Sequence, residues 1–387
     1  MDRIYLDHNA TTPVRQEAID AMMPFLRDGF GNASSLHFEG QTARRAIEDA
    51  REKMAKFVGA ESTDEIIFTS GGTESNNMAL QGGVGTSRGR RLISSAIEHS
   101  AVRTVARVLG ETGRAESVVI PVNSHGIVDP ADVEDAIVPD TALVSIMAAN
   151  NEVGTLQPIQ AIAEICKAKG VRFHTDAVQL GGKSRIRVND IGCDMLTLSG
   201  HKFGAPKGTG IIYVRRGTRL SSLMIGGLQE KNRRGGTENV PGIVALGVAA
   251  ELGDKELDVE APKLKRLRDL FEELVLAAVP KTSVNGDREH RICNTTNICF
   301  DHTDNSAMLM ALDLKGVSCS SGSACAAGSP DPSHVLLAMG LPQHKAHASL
   351  RFSLGHGLEE WQIRSVVARI SEAAAQVRES HPLWKEA

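Results

Sequence analysis

The chain has 387 residues, more than one compact core usually holds, which predicts two domains. It is 41% hydrophobic and 23% charged with a formal net charge of −4, which argues against general electrostatic binding to nucleic acid or to an anionic membrane. Because the sequence lacks a long apolar run, a signal peptide, a disulfide framework and Cys-x2-Cys pairs, we expect a cytoplasmic protein with reduced thiols and no metal site.

Short β-type runs alternate with helical patterns along the first two thirds of the chain. Helices are predicted at 41–58 and from Pro158 to 169, where Gly170 ends the second one. Several strand candidates are apolar throughout, as in a parallel sheet covered on both faces. The chain is therefore expected to be α/β with a mostly parallel sheet. The predicted strands are 65–69, 91–95, 118–121, 143–147, 171–175, 195–198 and 210–214.

The pattern changes after residue 253. A charged helix at 261–278 precedes a strand at 295–300, a helix at 308–314 and a stretch of small residues at 318–329. A last helix is predicted at 359–379. These elements predict a smaller C-terminal α+β domain.

Lys202 lies in the run Ser199-Gly200-His201-Lys202, directly after an apolar strand candidate. Such a position is poorly explained as a solvated surface charge. A lysine there is well placed to form a Schiff base with a carbonyl cofactor, a known route of covalent catalysis.

Other strand ends carry polar groups that suit a flat, phosphorylated cofactor. Gly72 and Thr73 open a helix after a strand and suit a phosphate cup, although a plain helix cap has the same pattern. Asp176 could keep a pyridine nitrogen protonated and Gln179 could donate to a phenolate oxygen, although Asp176 could instead cap a helix. His99 could stack on the ring and move protons, or could be structural.

Four further residues are candidates for substrate or phosphate chemistry. Asn151 follows a strand and suits polar recognition or a turn, and Thr237 lies in a basic segment that could reach a phosphate. Arg351 could bind a substrate carboxylate or form a structural ion pair. Cys325 stands among small residues, which indicates an accessible thiol, although a buried cysteine in a tight turn is the alternative.

The motifs together resemble the cysteine desulfurases of the NifS/IscS class, which belong to the class-V aminotransferase group of fold-type-I pyridoxal-phosphate enzymes. The resemblance extends over nearly the whole chain. The motifs that carry it are Ala10-Thr11-Thr12-Pro13, Thr73-Glu74-Ser75, Asn150-Asn151-Glu152, His174-Thr175-Asp176-Ala177-Val178-Gln179, Ser199-Gly200-His201-Lys202, Arg234-Gly235-Gly236-Thr237 and Ser321-Gly322-Ser323-Ala324-Cys325.

The resemblance implies a fold and a set of roles. It implies a large pyridoxal-phosphate domain at 15–258 and a small domain formed by 1–14 with 259–387, which carries the catalytic-cysteine loop at about 318–332. Lys202 would hold the cofactor, Cys325 would accept sulfur and His99 would stack on the ring and assist in catalysis. The other implied cofactor contacts are Gly72, Thr73, Asn151, Asp176, Gln179, Ser199, His201 and, from the second subunit of a homodimer, Thr237.

The implied reaction converts L-cysteine to L-alanine and leaves a persulfide on Cys325. Asn151 and Arg351 would receive the substrate carboxylate, and the sulfur would pass to an acceptor or scaffold protein of the IscU/NifU type for iron–sulfur cluster or other cofactor assembly. His8 departs from the family pattern near the expected substrate entrance.

Two alternatives remain open at the level of the sequence. A selenocysteine lyase or another class-V pyridoxal-phosphate enzyme, such as an aminotransferase, would share Lys202, Asp176 and His99, but an aminotransferase needs no thiol such as Cys325. A non-catalytic iron–sulfur carrier could use Cys319 and Cys325, but a Cys-x5-Cys spacing is not a recognised cluster pattern.

Overall fold

A computed structural model describes residues 2–322 and 332–379 of the chain. The strands are β1 Ile4–Tyr5, β2 Ile66–Thr69, β3 Arg91–Ser95, β4 Glu116–Ile120, β5 Thr141–Ser145, β6 Arg172–Asp176, β7 Met195–Ser199, β8 Gly210–Val214, β9 Thr282–Asn285, β10 Thr295–Phe300, β11 Val317–Ser318 and β12 Ser349–Ser353. The helices are α1 Gln16–Arg27, α2 Phe38–Val58, α3 Gly72–Asn77, α4 Gly83–Gly85, α5 Ser100–Glu111, α6 Pro130–Ala136, α7 Ile159–Lys169, α8 Val188–Ile191, α9 Gln229–Asn232, α10 Val240–Ala278, α11 Asn305–Leu314, α12 His334–Ala338, α13 Gln343–His347 and α14 Glu360–Glu379.

The largest sheet has the strand order β2-β8-β7-β6-β5-β3-β4. β3, β4, β5, β6 and β7 run parallel, whereas β8 is antiparallel to both of its neighbours, β7 and β2. The sequence-based prediction of an α/β fold with a mostly parallel sheet is therefore confirmed.

Successive residues of the central strands pack into two separate hydrophobic cores. Val144 and Leu196 pack in one cluster, while their neighbours Leu143 and Met195 pack in another. Because side chains alternate across a strand, both faces of this sheet are buried. That double burial explains why the strands are apolar throughout.

The helix α10 begins at Val240, about twenty residues before the start that the sequence indicated. Gly242, Gly247 and Gly253 weaken the local helix preference in this stretch, so the prediction missed it. The helix forms because it packs against α1 and α2. The predicted domain boundary at residue 258 lies inside α10, and the division into domains stays a prediction.

The C-terminal part of the chain forms two small sheets. β12, β10 and β9 are antiparallel in that order, and β1 pairs with β11 in parallel. Their core includes Phe271 of α10 and Phe352 of β12, whose rings lie 5.0 Å apart. The N-terminal segment therefore packs with the C-terminal elements, and a bridge between Asp7 and Ser353 continues this contact toward the large sheet.

The carboxyl ends of the parallel strands meet at one edge of the large sheet. β6 ends at Asp176 and β7 ends at Ser199, followed by a 3-10 turn that ends at Lys202. Ligands of open α/β sheets bind at this edge. In the described ranges, no helix combines the length and apolarity needed to cross a membrane.

Candidate cofactor and substrate site

A cavity of about 210 Å³ lies at this edge of the sheet. Thr237 is exposed and is not among its lining residues, and Cys325 lies outside the described residues. All the other predicted site residues line the cavity, namely Gly72, Thr73, His99, Asn151, Asp176, Gln179, Ser199, His201, Lys202 and Arg351.

Lys202 reaches the cavity from the turn after β7. Its Nζ donates to the backbone oxygens of Asn9 at 2.7 Å and of Ala10 at 2.8 Å. Two carbonyl acceptors from the N-terminal segment therefore hold the amine at the wall of the cavity. The same Nζ is placed where a carbonyl compound in the cavity could meet it.

Asp176 is a buried carboxylate, and each of its two oxygens accepts a hydrogen bond from a neighbouring residue. The backbone N–H of Val178 donates to Oδ1 at 3.0 Å, and Asn76 Nδ2 donates to Oδ2 at 2.7 Å. Asn76 also lines the cavity, and its Oδ1 has no hydrogen-bond partner among the described residues. The pair presents oriented negative charge to the cavity, which suits a protonated ring nitrogen.

Two glycines, Gly71 and Gly72, place backbone without side chains beside β7 at the start of α3. Gly71 has φ +147°, a conformation that L side chains rarely adopt. A Cβ on Gly72 would come within 2.9 Å of Val178 Cγ2 and 3.5 Å of Ser199 Cβ. Glycine at position 72 therefore lets the start of α3 pack closely against Val178 and Ser199. Gly72, Thr73 and Ser199 line the cavity together and can accommodate an anionic group there.

His99 has a defined proton position when its ring is neutral. The backbone N–H of Ala101 donates to His99 Nδ1 at 3.1 Å at the start of α5. Because an N–H can only donate, Nδ1 is the acceptor and the neutral ring carries its proton on Nε2. His99 can therefore donate a proton from Nε2 at the cavity.

Arg351 is fully buried and has two contacts that anchor it. Its Nη2 donates to Asp7 Oδ1 at 2.6 Å and its Nη1 donates to the backbone oxygen of Asn151 at 3.1 Å. Its Nε has no partner within the described part of the chain. The ion pair that the sequence left as an alternative thus exists, and Arg351 also lines the cavity.

Burial shifts the protonation of the histidines near the sheet edge. Burial, together with the charges of Lys202, Lys207 and Lys183, lowers the pKa of His201 to about 4. His201 Nδ1 lies 3.1 Å from Thr11 Oγ1. A neutral His201 contributes a hydrogen bond rather than a charge to the cavity.

His8 does not line this cavity. It lines a neighbouring cavity of about 410 Å³, which shares only Lys202 with the first among their lining residues. Its Nδ1 lies 3.1 Å from the backbone oxygen of Ser353, and its ring packs edge-to-face on Tyr5. His8 is thus a packed residue between the N-terminal segment and β12.

Sequence reasoning missed several residues of the site. Asn76 lies one helical turn after Gly72 and Thr73, so helical spacing could have indicated it. Asn9 and Ala10 act through backbone oxygens, which leave no side-chain signal. Lys183 follows Gln179 by four residues, in the turns after β6, and contacts it directly.

Residues 4–366 match a family model described as aminotransferase class-V. A protein named cysteine desulfurase IscS from Dictyoglomus turgidum is 48% identical over 354 residues, which cover 91% of this chain and 89% of the relative. The chain belongs to the class-V aminotransferase family and, within it, to the cysteine desulfurases.

Solved structures agree with this assignment. The structure of a NifS-like protein matches with a TM-score of 0.91 at 35% identity, covering 97% of this chain and all of that one (100%). The structure of SspA in complex with cysteine matches with a TM-score of 0.81 at 36% identity, covering 90% of this chain and 98% of that one. Both structures have the fold described above.

Proposed function

We propose that this protein uses pyridoxal 5′-phosphate to remove sulfur from L-cysteine, giving L-alanine and a persulfide on Cys325. The observation that carries the proposal is the convergence of Lys202, Asp176, His99 and Arg351 on one cavity. The cysteine desulfurases to which the chain belongs, and the complex of the similar protein SspA with cysteine, support L-cysteine as the substrate.

The residues of the cavity fit the cofactor. An amine, an oriented carboxylate and a glycine-lined space suit an aldehyde, a ring nitrogen and a phosphate, respectively. When bound, pyridoxal phosphate supplies an aldehyde for a Schiff base and a ring that accepts electrons from the substrate Cα. The proposed phosphate contacts are Gly72, Thr73, Ser199, His201 and the partner subunit's Thr237.

The chain's own residues divide the remaining work. Asp176 holds a proton on the ring nitrogen, and Gln179 donates to the ring oxygen. Arg351 and Asn151, which both line the cavity, orient the substrate carboxylate. Asn151 also belongs to the proposed cofactor-binding set, since it lines the same cavity.

Lys202 and His99 take different parts in proton transfer. Since the neutral His99 already carries its proton on Nε2, it is a donor at the cavity rather than a base. Lys202, as an uncharged amine, is then the group that takes the substrate Cα proton. This assignment favours Lys202 over His99 as the base.

Cys325 completes the proposal as the nucleophile. Its thiolate attacks the sulfur of the substrate, the Cβ–S bond breaks, and the sulfur remains on Cys325 as a persulfide. The carbon skeleton keeps the electron pair of that bond, is protonated and leaves as L-alanine. The sulfur then passes to an acceptor or scaffold protein of the IscU/NifU type for iron–sulfur cluster or other cofactor assembly.

We further propose a homodimer in the cytoplasm as the working form. The homodimer would let Thr237, which is exposed and away from its own cavity, serve the partner's site. Cytoplasmic residence suits the free thiols of Cys166, Cys193, Cys293, Cys299 and Cys319.

The test is the Cys325→Ala variant, purified with its cofactor and given L-cysteine and a reductant. It is expected to keep the absorbance of the bound cofactor and to lose alanine formation, because only the sulfur acceptor is removed. Lys202→Ala is expected to lose the absorbance of the Schiff base. Normal alanine turnover by Cys325→Ala would contradict the role of Cys325, and keto-acid production in place of alanine would indicate an aminotransferase.

The alternative functions predict different products. A selenocysteine lyase would release alanine and selenium from selenocysteine with a large preference over cysteine. An iron–sulfur carrier would be purified with iron and without a cofactor band, and in residues 2–322 and 332–379 no group of three His, Cys, Asp or Glu side chains is placed to hold a metal.

A further inference from the structure

Lys183 is a buried lysine without an ion pair in the described ranges. It is 7% exposed, and its Nζ donates to Gln179 Oε1 at 2.9 Å. Asp176, which lines the cavity, accepts from Asn76, and Asp7 accepts from Arg351. A buried lysine that lacks a counter-charge is costly to the fold, so its contact with Gln179 needs an explanation.

The amide of Gln179 has donors on one side and an acceptor on the other. Lys183 Nζ can donate to Oε1, while Gln179 Nε2 donates to the backbone oxygen of Asn9 at 3.2 Å. A backbone oxygen can only accept, so the NH₂ group of Gln179 must face Asn9 and its Oε1 faces Lys183. The contact with Asn9 therefore requires a single orientation of the amide, and in that orientation Lys183 Nζ donates to Oε1 in either of its charge states.

That orientation leaves one N–H of Gln179 for the cavity. An amide nitrogen carries two hydrogens, and Asn9 accepts one of them. Gln179 itself lines the 210 Å³ cavity. The second hydrogen is thus the donor that remains for the cofactor's ring oxygen.

We infer that Lys183 is a positioning residue, which fixes the Gln179 amide with its NH₂ group toward the cofactor. Lys183 acts through Gln179 and touches no reacting atom. This inference rests on the proposed function, because it assumes that pyridoxal phosphate is the ligand of the cavity.

The test compares holoprotein variants at Lys183 and Gln179. Lys183→Met removes the donor at nearly constant length and is expected to weaken pyridoxal-phosphate binding about tenfold, as for the loss of one hydrogen bond. The absorption band of the bound cofactor is expected to shift, because the ring oxygen loses its oriented donor. Lys183→Arg retains a donor and is expected to restore both quantities. Lys167→Met, which changes an exposed lysine of α7, is the matched control.

A double variant shows whether Lys183 acts through Gln179. Gln179→Leu is expected to weaken binding by a similar factor, and Lys183→Met combined with Gln179→Leu is expected to be no weaker than Gln179→Leu alone. Additive losses in the double variant would overturn the inference. So would a Lys183→Met protein with the affinity and spectrum of the wild type.

Two outcomes separate this inference from the proposed function. If the wild-type protein binds no pyridoxal phosphate, the proposed function is wrong. If the wild type binds it and Lys183→Met binds it with the same affinity and spectrum, only the inference about Lys183 is wrong. If Lys183→Met does not fold, Gln179→Glu and Gln179→Leu carry the test. The carboxylate of Gln179→Glu would pair with Lys183, so this variant is expected to melt above Gln179→Leu, and the opposite order would refute the contact.

Discussion

Lys183 links the chemistry of one side chain to the stability of the whole fold. Burial, with the nearby Lys202 charge, lowers the pKa of Lys183 from 10.5 to about 7. Between about pH 7 and 10.5 the unfolded chain therefore carries a proton on this amine that the folded chain has lost. Stability rises with pH wherever the unfolded state binds more protons.

This linkage gives a prediction for the protein without added cofactor. The free energy of unfolding of the wild type, relative to that of Lys183→Met, is expected to increase from about pH 7 to 10.5, and the variant is expected to be the more stable protein at pH 7. Urea unfolding at several pH values measures the difference. A difference that is constant over this range would show that Lys183 is not buried as an isolated amine.

At the scale of elements, the contact between α2 and α10 depends on one glycine. A Cβ on Gly247 would lie 2.9 Å from both Cα and Cβ of Ala50, closer than such atoms normally approach. The backbone of α2 cannot move away without disturbing the core beneath it. Gly247 thus allows α10 to pack directly on α2.

Gly247→Ala is expected to destabilise the protein, since overpacking costs about 1–3 kcal/mol. The gain in helix preference, about 1 kcal/mol, reduces the net destabilisation to about 2 kcal/mol or less. Gly253→Ala is the control in the same helix, because its Cβ would meet Phe57 at 3.6 Å, an ordinary contact. Gly253→Ala is expected to be neutral or stabilising, and thermal melting of both variants would reveal a reversed order.

The elements of this fold differ in how well the sequence predicts them. The central strands were found because Leu143 and Val144 face two different cores and make the run apolar. The reversed direction of β8 and the start of α10 at Val240 were not predicted, because strand direction and helix packing depend on distant neighbours. The periodicity of apolar residues in a sequence indicates only which faces of a local segment are buried.

The residues of the site also differ in whether the sequence could predict them. Side chains at strand ends, such as Asp176 and Lys202, could be predicted because their type and position carry the signal. Asn9 could not be assigned its part, since it binds Lys202 and Gln179 through a backbone oxygen that every residue has. The charge state of Lys183 also depends on burial, which the sequence alone does not give.

At the scale of the molecule, two segments that lie next to each other carry exposed large apolar side chains. Phe30 and Leu228 are each 81% exposed, and Leu36 and Ile225 are each 92% exposed. Ala33, Ser34 and Leu228 line one groove, so the two segments are neighbours. Exposed apolar side chains on neighbouring segments are typical of a protein interface.

The segment that follows this apolar region leads to Thr237. Glu230 accepts from Arg51 Nη1 at 2.7 Å and Nη2 at 2.8 Å, and Arg234 Nε donates to Glu74 at 2.8 Å. These buried and half-buried ion pairs fix the chain on both sides of the turn at residues 230–232, which has positive φ angles throughout. The backbone N–H of Gly235 donates to the backbone oxygen of Met224 at 2.9 Å, so the chain just before Thr237 lies against the segment that carries Ile225.

We expect the proposed homodimer to form through these exposed apolar side chains. Leu36→Glu combined with Ile225→Glu is expected to shift the protein from dimer to monomer in sedimentation equilibrium, because burying two carboxylates in an apolar contact is costly. Leu314→Glu, which changes an equally exposed leucine of α11, is the control and is expected to leave the dimer intact. The monomer is also expected to bind pyridoxal phosphate more weakly, since it lacks the partner subunit's Thr237. A monomer that retains the wild-type affinity would contradict the shared phosphate site, and a double variant that stays dimeric would assign the interface to another surface.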